Sequence, residues 1–121
     1  MSNFSVEASE LMKDFLYYLQ TIKGRSTTTV DEYFHDLRTF FRFIKIHKKL
    51  VPADMDYQDI PVDDVDLELI ASVTLTDGYE FMNYLQRVRK NDKAARARKT
   101  TSVKSFYNYL TNKKHLLPLI P

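Results

Sequence analysis

Lys93, Arg96, Arg98 and Lys99 place four cations within seven residues, and Lys104 follows five residues on. A second group lies far upstream, where Arg25 precedes Ser26, Thr27, Thr28 and Thr29. Lys and Arg neutralise phosphates and read base edges in the major groove, while hydroxyls and backbone N–H groups contact phosphate oxygens. The chemistry on offer is recognition of a polyanion. One hydroxyl at a helix start is ordinary capping, but capping needs one such residue and does not account for three threonines in a row.

Residues that could make or break bonds do not form a set. His35 and Arg38 match an HxxR spacing, but they lie inside a helical pattern with no accompanying catalytic box, so His35 reads as an exposed helix residue. Asp54, Asp56, Asp59, Asp63, Asp64 and Asp66 suggest a calcium loop. The register fails, because the sixth position from Asp54 is Asp59 where glycine is needed, and the twelfth is Val65 where glutamate is needed. His35, His47 and His115 are scattered, and the chain has no cysteine, so no zinc pattern exists. No glycine-rich phosphate loop or nucleophile elbow is present. Tyr17, Tyr18, Tyr33, Tyr84, Tyr107 and Tyr109 read by spacing as core or core-edge residues. The expectation is no catalytic residue, no metal and no cofactor.

The net charge of +2 conceals a segregation. Residues 51–80 hold nine acids and no Lys or Arg, whereas residues 87–115 hold ten Lys or Arg and the single acid Asp92. Residues 23–50 hold seven cations against three acids. Such asymmetry suggests a face turned to a polyanion and an acidic side turned away from it. At 121 residues and 44% hydrophobic, the chain suits one domain with a real core. Two glycines are too few for an all-β chain. No signal-peptide pattern or membrane-length apolar run is seen, and the lack of cysteine fits a reducing cytoplasm.

Helices must position these groups. A first helix is expected over residues 7–22, with Leu11, Phe15, Tyr18, Leu19 and Ile22 on its apolar face and Gly24 in the left-handed turn after it. Ser26 caps a second helix reaching His47 to Leu50, whose stripe is Val30, Tyr33, Phe34, Leu37, Phe40, Phe41 and Ile44. Arg38, Arg42, Lys45 and Lys49 line a neighbouring face. Residues 51–66, with Pro52 and Pro61, read as a solvated acidic loop. A short helix over residues 67–73 follows. Thr76 is then expected to cap a helix to Arg89 with Phe81, Met82, Leu85 and Val88 inward. The last helix runs from Lys93 to Asn112, and Pro118 and Pro121 cannot continue it. The fold class is all-α, a small orthogonal or antiparallel four-helix bundle with one extra short helix.

The last helix poses a conflict. At 100° per residue, Arg96 and Lys99 share a face with Val103, Phe106, Tyr107 and Leu110. Unpaired cations cannot enter a core, because the desolvation penalty is several kcal/mol per ion. Cations at a helix N-terminus also oppose the helix dipole, by about 0.3–1 kcal/mol each. The expectation is that the first two turns project beyond the core toward a negative partner, for which phosphate is suited.

Two motifs carry a family resemblance. Ser26, Thr29, Tyr33, Asp36, Leu37 and Phe40 fit SxxTxxxYxxDLxxF. About 70 residues on, ARARKTTSVKSFYNYL is similar to RxRxLSxLRxFFxYL, with Arg96, Arg98, Lys99, Val103, Lys104, Phe106, Tyr107, Tyr109 and Leu110 in register. The chain from about Leu11 to Leu117 thus resembles the N-terminal core-binding, SAM-like domain of tyrosine recombinases (phage integrases). Thr100 stands where the family prefers Leu, Lys99 and Lys104 replace favoured arginines, and the closing Asn-Pro is absent.

The resemblance implies a single non-catalytic DNA-binding domain over residues 1–121, without the C-terminal catalytic domain of a parent site-specific recombinase. It implies double-stranded DNA as partner, other recombinase protomers met through the full-length protein, and a fragment monomeric on its own. The setting would be cytoplasmic, prokaryotic or phage-encoded, with no membrane partner. The DNA-facing positions would be Ser26, Thr27, Thr29 and Tyr33 on one helix and Arg96, Arg98, Lys99 and Lys104 on the other. Arg25, Thr28 and Lys93 join them from the bottom-up reading. The rival reading is a helical protein-interaction domain whose basic face meets an acidic partner.

Overall fold

In the computed structural model, residues 4–117 are described, and all regular structure among them is helical. In chain order the helices are α1 (Phe4–Glu7), α2 (Glu10–Thr21), α3 (Thr27–His47), α4 (Leu67–Ala71), α5 (Leu75–Arg87) and α6 (Lys93–Asn112). A 3-10 turn at Tyr57–Asp59 interrupts the long connection between α3 and α4. The all-α expectation holds, with four long helices forming the bundle.

The long α3 is the central element, packing against α2, α5 and α6. Its buried stripe includes Val30, Phe34, Leu37, Phe40, Phe41 and Ile44 as the spacing requires, and Tyr33 is half-buried. Aromatic rings knit the layers. Phe106 of α6 lies 5.4 Å from Phe15 of α2 and 6.1 Å from Phe41 of α3, and Phe81 of α5 lies 5.0 Å from Phe40. Each fully buried side chain of this kind contributes about 1.5–3 kcal/mol.

Several sequence expectations need correction. The first helix is broken at Ala8 and Ser9 into α1 and α2, and both residues at the break are buried. The α2 core residues are Met12, Phe15, Leu16 and Leu19, while Ile22 lies beyond the helix and is exposed. Thr74, rather than Thr76, caps α5: its hydroxyl accepts from Asp77 N–H at 3.2 Å, and the Asp77 carboxylate accepts from Thr74 N–H at 2.9 Å. This reciprocal box sets the helix start, and at the other end the helix closes at Arg87, which leaves Val88 at the C-cap and exposed. Pro118 and Pro121 lie outside the described residues. The last helix has already stopped at Asn112, with His115 at φ 54° and Leu116 N–H bonded to Leu110 C=O at 2.9 Å.

The acidic connection keeps its carboxylates exposed, as expected, but is anchored to the bundle by its apolar residues. Ile60, Val62 and Val65 are buried, and the loop is fastened to α3 by the cations of that helix's second face. Arg42 donates to the carbonyls of Ile60 and Gln58, both at 2.9 Å. Lys45, itself buried, donates to Pro61 C=O at 2.6 Å and pairs with Asp64. Tyr57 donates to Thr39 C=O at 2.8 Å and sits under Arg42 and Arg89. Part of the charge segregation is therefore resolved within the molecule. Charged hydrogen bonds that replace water, at about 1.5–3 kcal/mol each, hold the acidic segment in place.

Candidate nucleic-acid interface

The candidate interface is built where α3 and α6 cross. Asp36 is almost wholly buried at this crossing, and Ser102 of α6 donates to its Oδ2 at 2.7 Å. Arg98, one turn earlier on α6, reaches its Oδ1 at 3.1 Å and lies 3.9 Å from Glu32. The second turns of the two helices therefore touch, as a joint surface requires. Burial raises the Asp36 pKa above the ordinary carboxylate value, against the opposing pull of Ser102, Arg98 and Lys99. The carboxylate bridges both helices and holds Arg98, whose side chain keeps 49% exposure.

Arg96 and Lys99 behave differently from the sequence expectation. Lys99 is buried, at 8% exposure, and its ammonium is bonded to the side-chain oxygen of Asn91. Arg96 is half-buried and donates to Asn91 C=O at 2.8 Å. Asn91 follows the C-terminus of α5, where Lys90 adopts φ 57° and Asn91 N–H bonds to Leu85 C=O at 2.9 Å. The end of α5 carries partial negative charge, and two cations of α6 answer it. The first turns of α6 thus do not project clear of the protein, and the negative partner for these two cations is internal. Burial, with Arg89 nearby, lowers the Lys99 pKa, while Asp36 pulls the other way.

The remaining predicted residues lie at the surface. Ser26 is the N-cap of α3, its oxygen accepting from Thr29 N–H at 3.2 Å and its hydroxyl donating to Thr29 Oγ1 at 3.0 Å. Thr27 and Thr28 are exposed in the first turn, Arg25 is exposed just before it, and Thr29 and Tyr33 are half-buried. Lys93 and Lys104 are exposed on α6, whose N-terminus is capped by Asp92 through Ala95 N–H at 2.8 Å. Thr100, at the position of the expected Leu, donates to Arg96 C=O at 2.8 Å within its own helix. His35 is exposed and touches Arg38 at 2.7 Å, and Arg38 pairs with Glu7 at 2.9 Å. The HxxR pair is in this way a surface contact tied to α1.

Sequence reasoning missed the parts played by Asp36, Asn91 and Ser102. Asp36 carries a signal, since an acid midway along an otherwise apolar stripe needs a buried partner. Asn91 carries none, because its role depends on a left-handed turn at a lysine.

A helical bundle with a hydroxyl-bearing helix start beside a cation-bearing helix fits the likeness to tyrosine recombinases, and comparison with known proteins bears that likeness out. The chain is similar to tyrosine recombinase XerC of Caldanaerobacter subterraneus subsp. tengcongensis, with 40% identity over 111 residues. The match covers 92% of this chain and 31% of that protein, so the chain spans less than a third of its relative's length. Over that stretch the chain is related in sequence to part of a tyrosine recombinase. No family model matches the chain, and no solved structure matches it. Among the described residues, no helix is long and apolar enough to cross a membrane.

Proposed function

We propose that this chain is a DNA-binding, core-binding module of a site-specific tyrosine recombinase. It docks the N-terminal regions of α3 and α6 on the recombination-site duplex and contributes no catalytic residue of its own. The observation that carries this reading is the Asp36 bridge. It fixes the Arg98 side chain against the second and third turns of α3, the helix whose first turn leaves Thr27 and Thr28 open to solvent. Arg98 is held near its partner surface at little entropic cost, and half its side chain stays available to a phosphate or a base edge. The relative's name supplies the class of reaction in which a whole protein containing such a module would take part. The partners are double-stranded DNA and, through a full-length protein, further recombinase protomers, and the setting is cytoplasmic.

With Lys99 buried and Arg96 engaged by Asn91, the exposed cations among the predicted residues are Arg25, Lys93, Arg98 and Lys104. Four phosphate contacts give a log–log salt slope of about −3 to −4. Titration of a duplex of about 30 base pairs, from 50 to 200 mM KCl, measures it. A slope near zero, or no binding at 50 mM, rejects the proposal. Capture of an acidic protein in place of DNA would then favour the interaction-domain alternative.

A further inference from the structure

A cleft of about 300 Å³ opens between the C-terminal half of α2, the start of α3 and the C-terminal half of α6. Lys23, Arg25 and Lys113 stand around it, and Ser105, Asn108 and Asn112 line the α6 side. No carboxylate lines it. Lys23, Arg25 and Lys113 have no ion-pair partner among the described residues. Two helix C-termini, at Thr21 and Asn112, end nearby. Each brings a partial charge of about −0.5. Asp14 acts on Tyr109 of the cleft wall but is paired with Lys114 at 3.7 Å, so three full positive charges outweigh the two partial ones and the cleft stays positive.

Its placement links it to the interface. Arg98, Ser105 and Asn112 recur every seven residues and so share one edge of α6. Arg98 meets α3 at Glu32 and Asp36, while Ser105 and Asn112 share the cleft with Tyr33 and Arg25. Arg25 immediately precedes the α3 N-cap. The cleft therefore continues the proposed DNA face past the start of α3.

We propose that this cleft seats a backbone phosphate of the bound duplex, outside the contacts made by the helix N-terminal regions. Lys23 and Lys113 supply charge of their own, Arg25 is shared with the contacts counted above, and the Asn108 and Asn112 amides supply directed donors. Amides with cations suit a phosphate oxygen, which accepts several hydrogen bonds at once. The inference rests on the DNA reading above and assigns it a further contact.

The test uses the full chain and compares wild type, the double variant Lys23→Gln/Lys113→Gln, and Arg98→Ala on a 30-base-pair duplex across the same KCl series. Lys23 and Lys113 are exposed, so the double variant is expected to melt with wild type. Losing one phosphate contact reduces the salt slope by about 0.9 and weakens binding roughly three- to tenfold at low salt. The Asn112 side-chain amide resonance should shift on duplex addition in wild type. If the double variant keeps the wild-type slope and affinity and Asn112 does not move, while Arg98→Ala still weakens binding, the cleft assignment is overturned and the DNA reading stands. If wild type binds no duplex, both fail. If inorganic phosphate moves Asn112 but the duplex does not, the cleft takes free phosphate and the duplex assignment is overturned.

Discussion

Ser102 Oγ donates to Asp36 Oδ2 at 2.7 Å, across the crossing of α3 and α6 and 66 residues apart in sequence. Both residues are buried, and the bond sits one turn from the exposed Arg98. Removing the acceptor leaves a buried hydroxyl without its partner. Asp36→Ala is expected to cost about 1–3 kcal/mol of folding stability. Asp36→Asn keeps an oxygen for Ser102 and relieves a charge that burial disfavours, so it should stay within about 1 kcal/mol of wild type. Urea titration of both variants checks the difference.

The same carboxyl has a pH signature. Its pKa in the folded protein is raised above the ordinary 3.8 by burial. The folded state therefore holds the proton more tightly than the unfolded state does. Stability from this group is greatest at low pH and falls as pH rises from about 3.8 through the folded pKa. Asp77 acts in the opposite sense. Burial works against its charge, but hydrogen bonds from Thr74 and Lys48 outweigh burial and leave its pKa lowered. Its contribution is present above 3.8 and is lost as pH falls through the lower folded value. The stability difference, wild type minus Asp36→Asn, should therefore decline as pH is raised from 3.5 to 6.5. A flat difference would show that Asp36 is not shifted.

Arg98 and Lys99 are neighbours in sequence with opposite roles. Arg98→Ala should lower duplex affinity and reduce the salt slope by about 0.9, with a stability cost of about 1–3 kcal/mol, because Arg98 is half exposed but its partner Asp36 is buried and loses its ion pair. Lys99→Met should leave the slope unchanged, since its ammonium is bonded to Asn91 and not offered to solvent. The pair of salt series separates them, and a slope change in Lys99→Met would show that the lysine leaves Asn91 to meet DNA.

Lys90 adopts φ 57° where a side chain is disfavoured. Lys90→Gly should stabilise the protein by about 0.5–1 kcal/mol by easing that turn, with the Asn91 contacts intact. Thermal unfolding reads this as a rise in Tm.

Arg42 holds the acidic connection through two carbonyls. Arg42→Ala should free residues 56–62 to faster amide exchange and cost about 1–3 kcal/mol, while duplex affinity stays near wild type. Amide exchange followed by NMR checks the site, and protection equal to wild type would show that burial of Ile60 and Val62 suffices alone.

The sequence by itself determined the helical class, the four long helices to within a turn at their ends, and most of the core. The stripe from Val30 to Ile44 has one period and one solution, because 3.6 residues per turn places those side chains together wherever the helix goes. It also located Ser26 as a cap and the cations of α6, and its two motifs carried the recombinase likeness. Which cations remain available was decided only by tertiary structure. Periodicity puts Arg96 and Lys99 on the apolar face, but it cannot say that the end of α5 arrives there with Asn91 as acceptor. Nor can it say that an acidic segment folds back on Arg42 and Lys45, or that Asp36 meets Ser102. A charge is satisfied by whatever chain end or carboxylate the fold brings within about 3 Å, and that meeting is set by helix crossings between residues far apart in sequence.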